Sequence, residues 1–294
     1  MNELTIFIVV VAGLFGLLIG SFLNVVAYRV PAHISLTRES RCPHCDAPIK
    51  PWQNVPVMSW VALRGKCANC KAPISARYPI VEAVTGIAFA LITWWGLAVY
   101  EGLLGSTLMT YLESPAWDGV VLPSDVWGAV LVIVAFLYFA AISIVLTVID
   151  LDTHRLPNSI VLPSYLVAGI LFTVSAWLTG DWELLLRAAI GMVVLYVFYF
   201  LLRSVRRGGM GGGDVKLAGV IGIYLGWLGW GALAVGAFAA FLYGGLFGIA
   251  LLLLRRAGRK TAIPFGPWMI LGAWTGVFAG EAVGRWYVNL FVGA

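Results

Sequence analysis

The sequence predicts an all-α polytopic membrane protein of about eight transmembrane helices, with a small cytoplasmic four-cysteine domain between the first two. Three observations predict it. The chain is 61% hydrophobic and only 11% charged, where ordinary soluble domains carry about 25% charged residues. Eight apolar runs approach the roughly 20 residues a helix needs to cross a bilayer. The remaining charges are sorted by sign between alternate connecting segments.

The first run, about 4–28, follows Glu3 without a basic segment before it or a small-residue cleavage pattern after it. It therefore reads as a span and not as a removed signal peptide. Seven more runs follow, at about 79–100, 126–149, 159–179, 184–203, 215–229, 231–254 and 266–289. The sixth is short and contains Gly219, Gly222 and Gly226, so a tilted or broken helix is expected there. All Lys and Arg except Arg187 and Arg285 fall in 29–77, at Arg155, in 203–207, at Lys216 and in 255–260. Acidic residues collect in the alternate segments: Glu3, 101–125, Asp181 with Glu183, and Glu281. By the positive-inside rule the basic set faces the cytoplasm, and eight spans then put both termini outside. Trp94, Trp95, Tyr100, Trp127, Trp227, Trp230 and Trp286, near span ends, read as interfacial anchors.

Residues 1–28 are thus read as the first transmembrane helix, 29–78 as a cytoplasmic domain and 79–294 as a membrane-embedded domain. The external loop 101–125 carries no sign of chemistry, and no internal repeat is read. The net charge of +5 follows topology rather than forming a groove-reading basic patch, so no nucleic-acid partner is expected.

All four cysteines lie in the one sizeable basic loop, as Cys42-Pro43-His44-Cys45 and Cys67-Ala68-Asn69-Cys70. A two-residue gap lets one turn present two thiolates to one ion, and two such turns complete a tetrahedral Zn²⁺ site. The 21 residues between the pairs slightly exceed the usual spacing of about 15–20. A reducing compartment disfavours disulfides; redox-active thiols and unliganded cysteines are the alternatives. A site closed by four thiolates organises a small domain rather than catalysing a reaction. His33 and His44 read as surface histidines.

Two aspartates sit at predicted helix ends on the cytoplasmic face. Asp150 lies in Ile149-Asp150-Leu151-Asp152-Thr153-His154-Arg155-Leu156-Pro157-Asn158, and Asp214 in Gly211-Gly212-Gly213-Asp214-Val215-Lys216. Ionisable groups at membrane depth are costly and mark function. Two carboxylates sharing one proton supply a general base for water and an acid for a carbonyl oxygen, the working parts of an aspartic protease. The glycines let backbone approach an extended substrate, and Pro157 ends the preceding turn. The plain alternative is two helix-capping aspartates. On local position alone, Asp152 competes with Asp150.

These motifs, in this order, resemble the type IV prepilin peptidases, bifunctional leader peptidases and N-methyltransferases. The resemblance spans most of the chain. It runs through Gly20-Ser21-Phe22-Leu23-Asn24-Val25-Val26, Tyr28-Arg29-Val30-Pro31, both cysteine pairs, Arg64-Gly65-Lys66-Cys67 and Arg77-Tyr78-Pro79-Ile80-Val81-Glu82. It continues through the Asp150 segment with Leu156-Pro157-Asn158, Gly211-Gly212-Gly213-Asp214-Val215-Lys216-Leu217 and Ile263-Pro264-Phe265-Gly266-Pro267. It implies a bacterial inner-membrane enzyme in contact with membrane lipid. Such an enzyme removes the short leader of type IV prepilin or pseudopilin precursors after Gly, at the cytoplasmic face. It then methylates the new N-terminus from S-adenosylmethionine. It also implies that Asp150, seven residues before Pro157, and Asp214 are the catalytic pair. Gly65 and Lys66 resemble positions linked to methyl transfer, and Glu82 is a further candidate for binding a substrate amine. The alternatives are turn residues of the second cysteine pair and an interfacial charge.

Three other readings remain: a peptidase without methylase activity, a proton-coupled transporter relaying through the two aspartates, and a non-catalytic zinc-bearing assembly factor. Neither the zinc turns nor the glycines are explained by the transporter.

Overall fold

The computed structural model describes residues 3–100, 123–205, 210–254 and 264–292. Most of the expected external loop 101–125 lies outside the described residues, as do Arg206, Arg207, the basic run 255–260 and Ile263. The described chain is helical: α1 (Glu3–Arg29), α2 (Met58–Ala62), α3 (Arg77–Val99), α4 (Ser124–Thr153), α5 (Asn158–Thr179), α6 (Trp182–Val205), α7 (Gly212–Leu228), α8 (Trp230–Leu253) and α9 (Gly266–Val292), with a 3₁₀ turn at Pro51–Asn54. Each of the eight expected apolar runs forms a helix. Six of them, α1, α3, α4, α5, α6 and α8, are long and apolar enough to cross a membrane. The expected count of eight spans is therefore not confirmed, since α7 and α9 fall outside that set. Helix breaks come where local chemistry requires them. Pro157, extended at φ −69° and ψ 130°, N-caps α5, and Gly180, left-handed at φ 79°, ends it.

The chain divides into two compact units, Met1–Val145 and Leu146–Ala294. In the first unit α1 and α3 pair closely because glycine faces backbone. A Cβ on Gly20 would stand 2.7 Å from the Glu82 Cα, and one on Gly16 would stand 2.7 Å from the Phe89 Cβ. The first part of α4 seats Ile133 where Gly96 has no side chain and meets Trp95 edge-on through Phe136, with centroids 5.3 Å apart.

The second unit is built around α7. From Leu217 to Trp227 every residue of this helix is buried, between neighbours α5, α6, α8 and α9. The sequence leaves room for a broken helix here, but the structure has an unbroken one of 17 residues, about 26 Å long. Its glycines make close packing possible rather than interrupting the helix. A Cβ on Gly222 would fall 2.3 Å from the Gly191 carbonyl oxygen of α6, and one on Gly226 would fall 2.7 Å from that of Arg187. Small residues at such seams are how membrane helices gain van der Waals contact. Phe172 of α5 stacks on Trp227, with centroids 4.5 Å apart.

Arg187, one of two cations outside the basic segments, also has a structural reason. Its Nε donates to the Gly226 carbonyl at 2.7 Å, and its Nη2 donates to those of Trp227 and Leu228 at 2.6 and 3.1 Å. It satisfies the orphan carbonyls at the C-terminal end of α7, where a cation also complements the helix dipole. Past the following turn, Glu281 accepts from the Ala232 amide at 3.2 Å in the first turn of α8.

Gly222→Val should lower the melting temperature of the detergent-solubilised protein by several degrees, since overpacking a tight seam costs about 1–3 kcal/mol. Gly169→Ala is the control, because nothing lies within 4 Å of its Cβ position; it should be neutral or slightly stabilising. Differential scanning fluorimetry of the two variants checks the contrast.

Candidate active site and metal centre

Asp150 lies in the last turn of α4 and is 4% exposed. The helix ends just after it, where His154 takes a left-handed φ of 53° and its amide still reaches the Asp150 carbonyl at 2.9 Å. The chain then runs through Leu156 to the Pro157 cap of α5. The Asp150 Oδ2 accepts from the backbone amide of Gly266, the first residue of α9, at 3.1 Å. Glycine is needed there: a Cβ would stand 2.7 Å from that oxygen.

Asp214 lies in the first turn of α7. Gly211 is the N-cap, and the Asp214 Oδ2 accepts its amide at 2.9 Å. Asp214 is therefore not the N-cap that the sequence left open; it stands at the third helical position and bonds back to the cap residue. The positive end of the helix dipole also favours a carboxylate there. The Oδ2 oxygen is committed to the cap.

Leu156 joins the two turns. Its side chain lies 3.5 Å from the Cβ position of Gly266 and 2.8 Å from that of Gly213. One leucine therefore touches the first turn of α9 and the first turn of α7. With it seated there, Asp150 and Asp214 lie within electrostatic reach of each other. A second tie runs between the same elements: the Lys216 Nζ donates to the Asn158 Oδ1 at 2.9 Å. Tyr165 of α5 donates to the Lys216 carbonyl. Asp152 is exposed.

Sequence reasoning passed over an aromatic cluster beside this pair. Tyr199, 2% exposed, sits within electrostatic reach of Asp214 and packs against Phe241 and Phe265, with centroids 5.5 and 6.3 Å away. Phe265 precedes the Gly266 that holds Asp150. Nothing local in the sequence marks Tyr199 or Phe241; Phe265 belongs to a motif already noted.

The four cysteines come together in the first unit. The sulfurs of Cys42, Cys45, Cys67 and Cys70 all lie within 4.8 Å of one another, and those of Cys42 and Cys70 are 3.9 Å apart. Ligands at about 2.3 Å around a tetrahedral zinc stand roughly 3.8 Å apart, so the cluster fits that ion. The Cys70 and Asn69 amides donate to the Cys67 sulfur and hold its pKa down at about 6. The Ala47 amide and the Asn69 side chain likewise lower that of Cys45. The Ala72 amide favours the Cys70 thiolate too, yet burial and the three neighbouring sulfurs push its pKa up to about 11. Thiolates this close repel one another, and a divalent cation is the group that lets all four ionise.

The two halves of the centre are copies, which corrects the expectation of no internal repeat. Arg41-Cys-x-x-Cys-x-Ala-Pro-Ile49 recurs as Lys66-Cys-x-x-Cys-x-Ala-Pro-Ile74. Cys42 donates to Ala47 at 3.0 Å as Cys67 does to Ala72 at 2.8 Å. Arg41 bridges Pro48 as Lys66 bridges Pro73. Asp46 and Lys71, at matching positions, both take positive φ, 53° and 60°.

The three methyl-transfer candidates also lie in the first unit. Gly65 is left-handed at φ 66°, and a Cβ there would stand 2.8 Å from the Trp60 ring, which accounts for the glycine structurally. Lys66 is exposed beside the second cysteine turn. Glu82 is 8% exposed and accepts from the Val57 amide at 2.7 Å.

Residues 14–95 match the model of the bacterial peptidase A24 N-terminal domain, and 137–253 match the type IV leader peptidase family. The chain is 34% identical to a prepilin leader peptidase/N-methyltransferase of Neisseria gonorrhoeae, with 97% of this chain and 95% of the relative covered. The identity is 33% to the protein of that name from Aeromonas hydrophila, over 95% and 93%. It is 31% to the one from Pseudomonas aeruginosa, over 94% and 92%. No solved structure matches. Similarity over nearly the whole length, in relatives that share one name, places this multi-pass helical chain in the type IV leader peptidase family.

Proposed function

We propose that the chain is an aspartic endopeptidase that removes the leader of type IV prepilins or pseudopilins after Gly, and then N-methylates the new N-terminus. Asp150 and Asp214 are the catalytic pair. The observation that carries this reading is that each carboxylate is held by a glycine amide at a helix end, with Leu156 joining the two turns. One carboxylate, ionised, takes a proton from water as the water oxygen adds to the scissile carbonyl carbon. The other, protonated, gives its proton to the carbonyl oxygen. Return of a proton to the amide nitrogen breaks the C–N bond, leaving a leader carboxylate and a free amine. The work takes place at the cytoplasmic face of the bacterial inner membrane, with the chain's termini periplasmic.

Methylation would convert that amine to its N-methyl derivative: the amine nitrogen takes the methyl group from the sulfonium of S-adenosylmethionine, the cosubstrate leaves as the neutral thioether, and the nitrogen loses one proton to solvent. Among the described residues there is no strand to carry a dinucleotide-type glycine fingerprint. Gly65 and Glu82 already have structural duties, so Lys66 is the candidate whose side chain is left for this role. Zinc, held by Cys42, Cys45, Cys67 and Cys70, supplies no chemistry to either step; it organises residues 29–78.

Asp150→Asn and Asp214→Asn should each abolish cleavage while leaving expression and insertion intact. The double variant should be no worse than either single one, because the two act as a unit. Asp152→Asn should keep substantial activity; an inactive Asp152→Asn beside an active Asp150→Asn would reverse the assignment.

Elemental analysis should find about one zinc per chain. Cys42→Ser with Cys67→Ser should release the metal and open residues 29–78 to limited proteolysis. A metal-free preparation with the domain still resistant would contradict the assignment.

Lys66→Ala should reduce methylation more than cleavage, with zinc retained. The ratio of unmethylated to methylated product, read by mass spectrometry, should rise. Parallel loss of both products would argue against a methyl-transfer role for Lys66.

A further inference from the structure

We infer that residues 51–62, the 3₁₀ turn with α2, are a membrane-surface anchor for the four-cysteine domain. In this reading Trp52, Val55, Met58 and Val61 insert into the headgroup region of the leaflet where α3 begins. These four apolar side chains recur at steps of three and are 57%, 46%, 69% and 61% exposed. The other side of the segment is used by the domain itself. Pro56 is buried, and Trp60 covers Gly65 and donates from Nε1 to the Ile74 carbonyl at 3.1 Å. The outward row is therefore not spare core.

Depth is fixed by one hydrogen bond. The Val57 amide donates to Glu82, the sixth residue of α3, a helix long and apolar enough to cross a membrane. At about 1.5 Å per residue, that contact lies roughly 8 Å along the axis from Arg77, at interfacial depth. Val57 is β-branched and sits at φ 60° and ψ −50°, a conformation that persists only where its surroundings over-determine it. The buried Glu82 carboxylate is that constraint, and it presses the segment against α3. Around the same level α3, a candidate span, exposes Tyr78, Ile80 and Val84. Exposed Lys50 and Arg64 flank the row at its two ends, where they complement anionic headgroups. An apolar row edged by cations at this depth fits a lipid surface.

The test uses the full chain in nanodiscs of phosphatidylethanolamine and phosphatidylglycerol, with fluorinated tryptophan and ¹⁹F NMR. The Trp52 resonance is the one lost in Trp52→Phe, with Trp52→Tyr as a second assignment. Lipid carrying a spin label near the headgroup should broaden Trp52 several-fold more than a water-soluble gadolinium chelate does. Greater broadening by the chelate would overturn the inference, placing the row in water. Response to neither would also overturn it, since protein would then cover the row.

Discussion

Leu156 packs where a side chain on Gly213 would intrude, and the candidate active site depends on that seat. A Cβ on Gly213 would collide with the leucine, and one on Gly266 would collide with the Asp150 carboxylate. With both positions glycine, the loop after α4 can lie against the first turns of α7 and α9. Asp150 then receives the Gly266 amide while Asp214 receives that of Gly211. Backbone donors cannot rotate away as side chains can, so each carboxylate keeps one oxygen fixed. Preorganisation of this kind is what the proposed catalytic pair requires to share a proton without reorganising during the reaction.

Behind the site stands a frame of close glycine seams. α7 is buried along most of its length because Gly222 and Gly226 meet α6 backbone to backbone. Membrane helices lack the hydrophobic drive that packs soluble cores, and such contacts take its place. At the far end Arg187 ties off the α7 carbonyls. The helix that starts with a proposed catalytic acid is thus anchored at both ends. Tyr199, within electrostatic reach of Asp214, packs with Phe241 and Phe265.

Much of this was legible in the sequence. The apolar runs located every long helix among the described residues, since a run of that length and hydropathy favours a helix. The motif around Leu156 and the triple glycine marked the two acids, because local backbone demands leave local residues. What could not be read was tertiary. Arg187 departs from the charge pattern because it caps carbonyls 39–41 positions away. The partner of Glu82 is a backbone amide 25 positions away, at a valine whose φ nothing in the sequence announces. The cysteine repeat is legible in the shared Ala-Pro-Ile that follows each pair.

The central claim is that Asp150 and Asp214 activate one water between them, with no covalent link between enzyme and leader. Single-turnover cleavage of a prepilin in H₂¹⁸O, followed by mass spectrometry of both product and enzyme, tests it most directly. The account predicts one ¹⁸O in the new carboxylate of the leader and none in either aspartate. An unlabelled leader, with ¹⁸O in Asp150 or Asp214, would show that an aspartate attacked the carbonyl itself and would contradict the account.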